Sequence, residues 1–310
     1  MEVHYINLET EVEKKSFHLA IGNFDGVHLG HQQIIKNLVD NAAEQNKFSA
    51  ILSFDPHPRQ FFSRDLDRYQ IIGMKQKQNF LSDLGVDNLF FLKFNESIAN
   101  LSPNDFITKI IVHQLQVRKL VVGYDFHFGK NREGDAALLK EYATIHGFNL
   151  EVIDPIKDSS RNEVFSSSTI RESLKGGIIE KANMMLGRSW TMEGEVVHGD
   201  KRAREMNFPT ANLLPHDQIY PLKGVYAVNI LINQNKFEGI ANFGERPTID
   251  GKKLLLEVHL FDFDQDIYGK HLTVEFLTFI RGEKKFDSFS LLVQQIKKDI
   301  QVAKNYHQSK

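Results

Sequence analysis

The sequence predicts an α/β domain built on a doubly wound parallel sheet, followed by an antiparallel all-β domain with a terminal helix. A chain of 310 residues with 41% hydrophobic content is long enough to bury more than one core. Strand-like and helix-like segments alternate at first, whereas strands follow one another without helices after about residue 187. We place the boundary in residues 185–190, which gives domains of residues 1–186 and 187–310.

The α/β prediction rests on five short apolar segments that suit buried parallel strands. They span residues 17–21, 48–54, 88–94, 119–123 and 148–153. Segments with helical spacing lie between or beside them, at residues 31–45, 74–84, 103–115 and 135–146. Sheets of this kind bind ligands beyond the carboxyl ends of their strands, where residues 22–31, 54–58 and 123–129 lie.

The all-β prediction rests on five strand-like segments that are joined by turns. They span residues 191–197, 225–233, 237–243, 254–261 and 272–279. This rhythm indicates an antiparallel barrel or sandwich. Residues 289–302 follow as an amphipathic helix.

Composition narrows the classes of partner. The formal net charge of -2 and the pI of about 6.7 give no broad cationic field, so we expect small-molecule substrates, no nucleic acid and no membrane. The absence of cysteine excludes disulfides, a thiolate nucleophile and a cysteine-ligated metal. We find no secretory leader and no run of about 18 apolar residues, so we expect a cytoplasmic location. The sequence does not indicate an oligomeric state.

The segment after the first predicted strand is typical of a phosphate-binding loop. Residues 21–31 read Ile-Gly-Asn-Phe-Asp-Gly-Val-His-Leu-Gly-His and run into a helical pattern. Its glycines allow sharp turns and close approach to a ligand, and a helix beginning near Gly30 would direct free N–H groups at an anion. His28 and His31 add side-chain donors. Their spacing also suits a metal, but no further ligand motif accompanies it, so phosphate is the favoured interpretation.

The string Gly-Asn-Phe-Asp-Gly-Val-His-x-Gly-His resembles a motif of the bacterial bifunctional riboflavin kinase/FAD synthetases. The shorter His-x-Gly-His signature resembles that of nucleotidyltransferases, which attack the ATP α-phosphate and expel pyrophosphate. The resemblance implies that His28 and His31 bind ATP phosphates and stabilise charge in the transition state. The other implied ATP contacts are Gly22, Asn23, Phe24 and Gly30.

A serine cluster followed by an arginine would by itself suggest a loop or a helix cap. Residues 166–171 resemble the Ser-Ser-Thr-x-Ile-Arg element of the same family, whose hydroxyls and arginine hold the ATP phosphates. The resemblance implies a catalytic role for Arg171, because a guanidinium can bind phosphate through two parallel hydrogen bonds. The implied phosphate-binding hydroxyls are those of Ser166, Ser167 and Ser168.

Two loops at predicted strand ends resemble flavin-facing loops of this family. Residues 54–58 read Phe-Asp-Pro-His-Pro, in which the prolines would shape a pocket wall. Residues 123–129 read Gly-Tyr-Asp-Phe-His-Phe-Gly, which resembles the family's Gly-x-Asp-Phe-x-Phe-Gly loop. The implied flavin contacts are Pro56, Pro58, Asp125, Phe126 and Phe128.

A Thr-x-Asn pair lies in the second domain, in the segment Phe-Pro-Thr-Ala-Asn at residues 208–212. In an extended segment Thr210 and Asn212 share a face, where their oxygens suit Mg²⁺ and phosphate. The segment resembles the Pro-Thr-Ala-Asn signature of riboflavin kinase, whose fold is a barrel. This resemblance implies an antiparallel β-barrel, a Mg²⁺ site at Thr210 and Asn212, and a phosphate contact from Gly199.

Glu257 is a carboxylate among apolar residues of a predicted strand. Such a residue is either a solvent-facing strand residue or a general base with a perturbed environment. The surrounding Glu-x-His-Leu-x-Asp-Phe resembles the riboflavin kinase core, in which the matching glutamate deprotonates the riboflavin 5′-hydroxyl. Arg246 in the nearby Arg-Pro-Thr segment is a further implied flavin contact.

The resemblance covers nearly the whole chain and implies two activities with two ATP sites. The barrel would phosphorylate riboflavin to FMN, and the nucleotidyltransferase domain would adenylylate FMN to FAD with release of pyrophosphate. Two family glycines are replaced by Ala203 and Asn207, so an FMN adenylyltransferase with an impaired kinase is an alternative. A flavin or nucleotide sensor without activity is a third hypothesis, which the histidines and Glu257 disfavour.

Overall fold

The computed structural model describes residues 1–63, 68–158, 163–197, 208–214, 218–233, 235–248 and 251–309. The chain divides into two compact units, Met1–Ser167 and Ser168–Lys310. The first unit contains a parallel sheet and the second contains a closed barrel. The domain boundary after residue 186 stays a prediction.

A six-stranded parallel sheet forms the core of the N-terminal unit. Its strands are β1 (Glu2–Ile6), β2 (Phe17–Ile21), β3 (Phe48–Asp55), β4 (Asn88–Lys93), β5 (Val117–Gly123) and β6 (Asn149–Ile153). The spatial order is β1-β4-β3-β2-β5-β6, and each neighbouring pair is parallel. The chain winds from β2 towards β4 and then restarts on the other side at β5, which confirms the doubly wound α/β prediction.

Helices connect these strands. They are α1 (Leu29–Glu44), α2 (Pro58–Phe62), α3 (Met74–Asp83), α4 (Glu96–Ala99), α5 (Pro103–Asp105), a π-helix (Phe106–Gln114) and α6 (Ala136–His146). A small antiparallel pair, β7 (Lys157–Asp158) and β8 (Glu163–Val164), precedes α7 (Ser167–Lys175). Among the helices of the described residues, none is both long and apolar enough to span a membrane.

Two elements of this unit differ from the prediction. β1 is an additional edge strand, and it lacks an apolar run because Ile6 is its one buried residue. The segment predicted as one α-helix is mostly a π-helix, in which the Leu115 N–H donates to the carbonyl of Ile110 five residues earlier. Its buried residues are Phe106, Ile107, Ile110 and Ile111. That spacing is also compatible with an α-helix, so the pattern alone does not distinguish the two.

Six antiparallel strands form a closed barrel in the C-terminal unit. They are β9 (Trp190–Val197), β10 (Ala211–Leu213), β11 (Gly224–Ile232), β12 (Asn235–Thr248), β13 (Gly251–Leu260) and β14 (His271–Gly282). Their order is β10-β13-β12-β11-β14-β9, and β9 pairs back with β10. Closure confirms the barrel and excludes the sandwich. The three-residue β10 is not among the predicted strands, because it is too short to show an alternating pattern.

Large apolar side chains fill the barrel. Those that are almost fully buried include Trp190, Tyr226, Phe243, Leu256, Val258 and Phe276. Burial raises the pKa of Tyr226, whose hydroxyl donates a hydrogen bond to the carbonyl of Leu222. The hydroxyl of Tyr226 therefore has a hydrogen-bond partner inside an otherwise apolar core.

Two helices pack on the outside of the barrel. α8 (Ile179–Leu186) is held through Asn183, which donates to the carbonyl of Phe276 and accepts from the N–H of Trp190. α9 (Phe289–Gln308) covers part of the outer face and extends beyond the predicted helix. The apolar cluster beneath it comprises Val225, Ala227, Ile240, Phe261 and Ala303.

Candidate active sites

The loop between β2 and α1 is built around His28. His28 is the N-cap of α1, and its Nδ1 accepts a hydrogen bond from the His31 backbone N–H at 3.3 Å. The two imidazole rings stack with centroids 3.6 Å apart. No acidic residue lies in the first turn of α1, so the positive end of the helix dipole remains available to an anion. β2 lies between β3 and β5, so this loop stands at the topological switch point of the sheet.

The backbone of this loop is strained. Phe24 and Val27 have φ angles of 44° and 41°, and Gly26 has a φ of 82°. Residues with side chains rarely adopt these angles, and such outliers concentrate at functional sites. The surrounding structure must therefore hold the loop in place.

Gly22 and Gly30 lie close to neighbouring side chains. A Cβ on Gly30 would lie 3.1 Å from the Phe165 Cβ and 3.2 Å from the His28 ring. A Cβ on Gly22 would lie 3.2 Å from the Phe24 ring. A side chain at either position would therefore require its neighbours to shift.

Buried polar contacts tie the loop to the rest of its unit. The Asn23 carbonyl accepts hydrogen bonds from Lys77 Nζ at 2.9 Å and from Ser53 Oγ at 3.3 Å. The Asp25 carboxylate accepts from the Ile71 N–H at 2.9 and 3.1 Å. Asn23 Oδ1 is buried without a hydrogen-bond partner among the described residues, which is unusual for a buried polar atom.

Part of the predicted serine cluster lies at this loop. Ser167 Oγ donates to the carbonyl of Asp25 at 2.9 Å. Ser166 is half-buried, and Ser168 is exposed. Arg171 follows Ser167 by one turn of α7, on the same helix face, and is 7% exposed.

Pro56 lies between the end of β3 and the start of α2, and Pro58 is the first residue of α2. His57 caps α2, with its Nδ1 accepting from the Arg59 N–H at 3.1 Å. The His57 ring also lies 5.0 Å from the Tyr69 ring, measured between centroids. The two prolines are therefore part of an ordered turn at the carboxyl edge of the sheet.

An aromatic cluster lies at the same edge, and the sequence analysis does not identify it. Phe54, Phe61, Phe62 and Phe94 form ring contacts with centroids 5.2 to 5.9 Å apart. Phe62 is 70% exposed, so the cluster offers an accessible aromatic surface. The consecutive phenylalanines of α2 are the signal that could have located it.

The loop after β5 divides into an exposed part and a buried part. Asp125 is exposed and Phe126 is half-buried. Phe128 is 5% exposed, and its ring packs in the core 5.3 Å from the Phe106 ring and 5.5 Å from the Phe126 ring. Phe128 therefore has the surroundings of a core residue, while Asp125 is open to a ligand.

Three polar side chains form a row across the outer face of the barrel. Asn212 of β10 is opposite Glu257 of β13, and Glu257 is opposite Asn242 of β12. Residues directly opposite in antiparallel strands share a face. Asn242 Nδ2 donates to Glu257 Oε2 at 3.5 Å, and Glu257 is half-buried between Leu256 and Val258. Asn242 is a neighbour that the sequence analysis misses, because the pairing partner is set by the barrel register.

Thr210 lies two residues before Asn212 in the chain and is half-buried. The adjacent Pro209 carbonyl lies 2.8 Å from His259 Nδ1, so the segment before β10 stays beside β13. The predicted Gly199, together with Ala203 and Asn207, lies outside the described residues. The structure likewise describes the backbone of Arg246 but not its side chain.

Comparison with known proteins finds two family matches along the chain. Residues 10–169 match the FAD synthetase family, and residues 186–307 match the riboflavin kinase family. The FAD synthetase match covers strands β2 to β6 of the parallel sheet, and the riboflavin kinase match covers the barrel.

Curated relatives contain both parts in one chain. The bifunctional riboflavin kinase/FMN adenylyltransferase of Haemophilus influenzae is 41% identical over 94% of this chain and 94% of its own. Proteins of the same description from Escherichia coli K12 and Bacillus subtilis are 36% and 38% identical, and they cover 93% and 98% of this chain and 92% and 96% of their own.

A solved structure has the same fold over almost the whole length. It is described as a macrolide-efflux protein from Streptococcus pneumoniae, and it matches with a TM-score of 0.87 and 30% identity. The match covers 98% of this chain and 99% of that one.

Proposed function

Because the chain belongs to the family of bifunctional riboflavin kinase/FMN adenylyltransferases, we propose that it makes FMN and FAD in two ATP-dependent reactions. The family's substrates and products are ATP, riboflavin, FMN and FAD. One observation supports the proposal most: each unit contains its own polar site as well as its own family match. The alternative with an impaired kinase is not favoured, since the riboflavin kinase match spans residues 186–307.

Adenylyl transfer would take place at the loop between β2 and α1. An oxygen of the FMN phosphate attacks the α-phosphorus of ATP, the bond to the pyrophosphate oxygen breaks, and negative charge moves onto the leaving group. Since His28 Nδ1 accepts from the His31 N–H, a neutral His28 carries its proton on Nε2 and can donate to a phosphate oxygen. His28, His31 and the start of α1 would stabilise the developing charge by electrostatics.

The remaining phosphate contacts that we propose come from the motifs identified in the sequence. Ser167 Oγ donates to the Asp25 carbonyl, so the structure ties Ser167 to this loop, and its hydroxyl would have to turn to donate to a phosphate oxygen. Arg171 would add a cation with two parallel donors. The other contacts that we propose are Gly22, Asn23, Phe24, Gly30, Ser166 and Ser168.

The flavin ring of FMN would lie at the carboxyl edge of the sheet, against the aromatic cluster of Phe54, Phe61, Phe62 and Phe94. A planar isoalloxazine stacks favourably on an exposed ring such as Phe62. The prolines at positions 56 and 58 and Asp125 belong to loops at that same edge. Phe126 and Phe128 would support the loop from beneath.

Riboflavin phosphorylation would take place on the outer face of the barrel. Glu257 accepts the proton of the riboflavin 5′-hydroxyl, whose oxygen attacks the γ-phosphorus of ATP while ADP leaves. The amide of Asn242 would hold the carboxylate in place. Gly199 and Arg246 are further proposed contacts with phosphate and flavin.

The residues beside Glu257 fit a magnesium ion. Thr210 and Asn212 offer oxygen atoms, and a carboxylate stands directly across the strand pair from Asn212. Oxygen donors of this kind are the ligands that Mg²⁺ prefers. We propose that Thr210 and Asn212 hold the ion, which when bound would neutralise charge on the ATP phosphates.

A time course with riboflavin and Mg-ATP tests the proposed function. We expect FMN to form first and FAD to follow, as resolved by chromatography of the three flavins. Accumulation of FMN alone would contradict the adenylyl-transfer site. Conversion of added FMN to FAD without any use of riboflavin would support the impaired kinase, and an absence of both products would support the sensor. The cytoplasmic location stays a prediction.

A further inference from the structure

A buried lysine contacts the backbone of the loop between β2 and α1 from α3. Lys77 is 3% exposed, and its Nζ donates to the carbonyl of Asn23 at 2.9 Å. Lysine is rarely buried to this extent, because its ammonium group loses favourable hydration. The side chain of Lys77 therefore brings a buried positive charge to a loop of phosphate-binding type.

The contact reaches the loop immediately before its strained residues. Asn23 precedes Phe24, whose φ is 44°. The carbonyl of Asn23 and the N–H of Phe24 belong to one peptide group, so a donor on the carbonyl fixes the direction of that N–H. Hydrogen bonding of the carbonyl to a cation also polarises the peptide and makes its N–H a stronger donor.

The same peptide has a second, neutral donor. Ser53 Oγ contacts the Asn23 carbonyl at 3.3 Å, which is longer than the contact of Lys77. Charge-assisted hydrogen bonds are stronger than neutral ones, and a positive charge held away from water acts over a longer distance. Lys77 is therefore the stronger of the two contacts and brings positive potential to the loop.

We propose that Lys77 is a positioning residue for ATP in adenylyl transfer: it fixes the Asn23 peptide and adds positive potential where the phosphates bind. This inference rests on the proposed adenylyl transfer at this loop. Lys77 acts through the backbone of the loop and does not itself touch ATP.

Lys77→Met tests the proposal, because methionine has a similar length but neither charge nor donor. Circular dichroism checks that the variant is folded, because removing one partner of a buried polar contact can destabilise the fold. We expect the KM for ATP in FAD formation to rise about tenfold, the scale of one charge-assisted hydrogen bond. The KM for ATP in riboflavin phosphorylation, measured on the same preparation, should stay within about twofold of the wild type. Lys75→Met is the matched control, since Lys75 is exposed on the same helix.

KM separates positioning from a merely structural role, because loss of folded protein lowers the active fraction and leaves KM unchanged. A variant with wild-type KM, whatever its yield, would overturn the proposal. If Lys77→Met does not fold, Lys77→Gln, which keeps a neutral donor, is expected to raise the same KM by at least about threefold, and an unchanged value overturns the proposal equally. Failure of the wild type to make FAD would instead refute the proposed function.

Discussion

The ring of His31 is fixed by two neighbouring rings. It stacks on His28 with centroids 3.6 Å apart and meets Phe24 edge-on at 5.2 Å. If this imidazole stabilises the transferring phosphate, His31→Ala should slow FAD formation by about 10²-fold, the effect of losing one preorganised donor. Riboflavin phosphorylation should be nearly unchanged.

Steady-state rates of both reactions check this prediction, with His113→Ala as the control because His113 is exposed and outside the loop. Equal losses in the two reactions would indicate misfolding, and full FAD formation would remove His31 from the site.

Glu257 has a different test, because a glutamine keeps the size and most hydrogen bonding of the side chain but cannot accept the proton. In Glu257→Gln we expect FMN production to fall by about 10²-fold or more, whereas added FMN is still converted to FAD. Glu238→Gln is the control, since Glu238 is an exposed carboxylate on the neighbouring β12. Wild-type phosphorylation in Glu257→Gln would make Glu257 a structural strand residue.

His18 gives the N-terminal unit a pH-dependent stability. Burial lowers the pKa of His18 from its ordinary value of 6.5, and the charges of Lys119 and Lys47 lower it further. The unfolded chain therefore binds a proton at a higher pH than the folded chain does. This group has no effect well above about pH 6.5, and it reduces stability as the pH falls from there towards the folded-state pKa.

Urea unfolding followed by circular dichroism at several pH values checks the effect of His18. We expect the wild type to lose more unfolding free energy between about pH 7 and pH 5 than His18→Gln, which cannot take up this proton. Parallel pH profiles for the two proteins would show that His18 does not contribute.

Candidate site residues that belong to short motifs could be identified from the sequence. The residues that contact them from distant parts of the chain could not. His28 and His31 are three positions apart in one loop, so the motif and the site coincide. Lys77 lies 54 positions from Asn23, and only the packing of α3 beside the loop brings them together. The pairing of Asn242 with Glu257 likewise depends on the register of β12 and β13.

Among the elements, α9 is held on the barrel by an ion pair between the half-buried Arg281 and the buried Asp299. Arg281 Nε donates to both carboxylate oxygens of Asp299 at 3.0 and 2.9 Å, and Nη2 donates to one of them at 2.7 Å. The Asp299 side chain is 5% exposed, and Gln295 also donates to it at 2.8 Å. Removing one partner of a buried pair leaves the other charge uncompensated.

We therefore expect Asp299→Asn to lower the unfolding free energy of the C-terminal unit by about 3 kcal/mol. The fluorescence of Trp190, the one tryptophan in the sequence, reports on this unit because the residue is buried in the barrel. Asp264→Asn, at an exposed loop position, is the control. Identical denaturation midpoints for Asp299→Asn and the wild type would contradict a stabilising role of the pair.

Strands and helices could be predicted where their buried residues form a clear apolar pattern in the sequence. The four inner strands, β2 to β5, are apolar runs because neighbouring elements cover both of their faces. β1 was not predicted, because an edge strand with one buried residue has no apolar run. β10 was not predicted, because three residues are too few to show an alternating pattern. The π-helix escapes because its buried residues repeat at the spacing of an α-helix.

For the whole molecule, we propose two chemically independent sites in one chain, one at the parallel sheet and one on the barrel. The parallel sheet supplies a loop at its switch point, and the barrel supplies a polar row on its outer face. The order of the two architectures was predictable, because the change from alternating segments to consecutive strands is visible in the sequence. The residues that we propose for the two reactions do not overlap, so each reaction should be removable without the other.

Mixing two single variants tests this claim most directly. His31→Ala retains the phosphorylation site and Glu257→Gln retains the adenylyl-transfer site, so neither alone should convert riboflavin to FAD efficiently. Incubated together with riboflavin and Mg-ATP, they should form FAD at a rate well above the sum of the two separate reactions, because FMN made by one is used by the other. A mixture that forms no more FAD than that sum, although each variant keeps its remaining activity on its own substrate, would contradict two independent sites linked by free FMN.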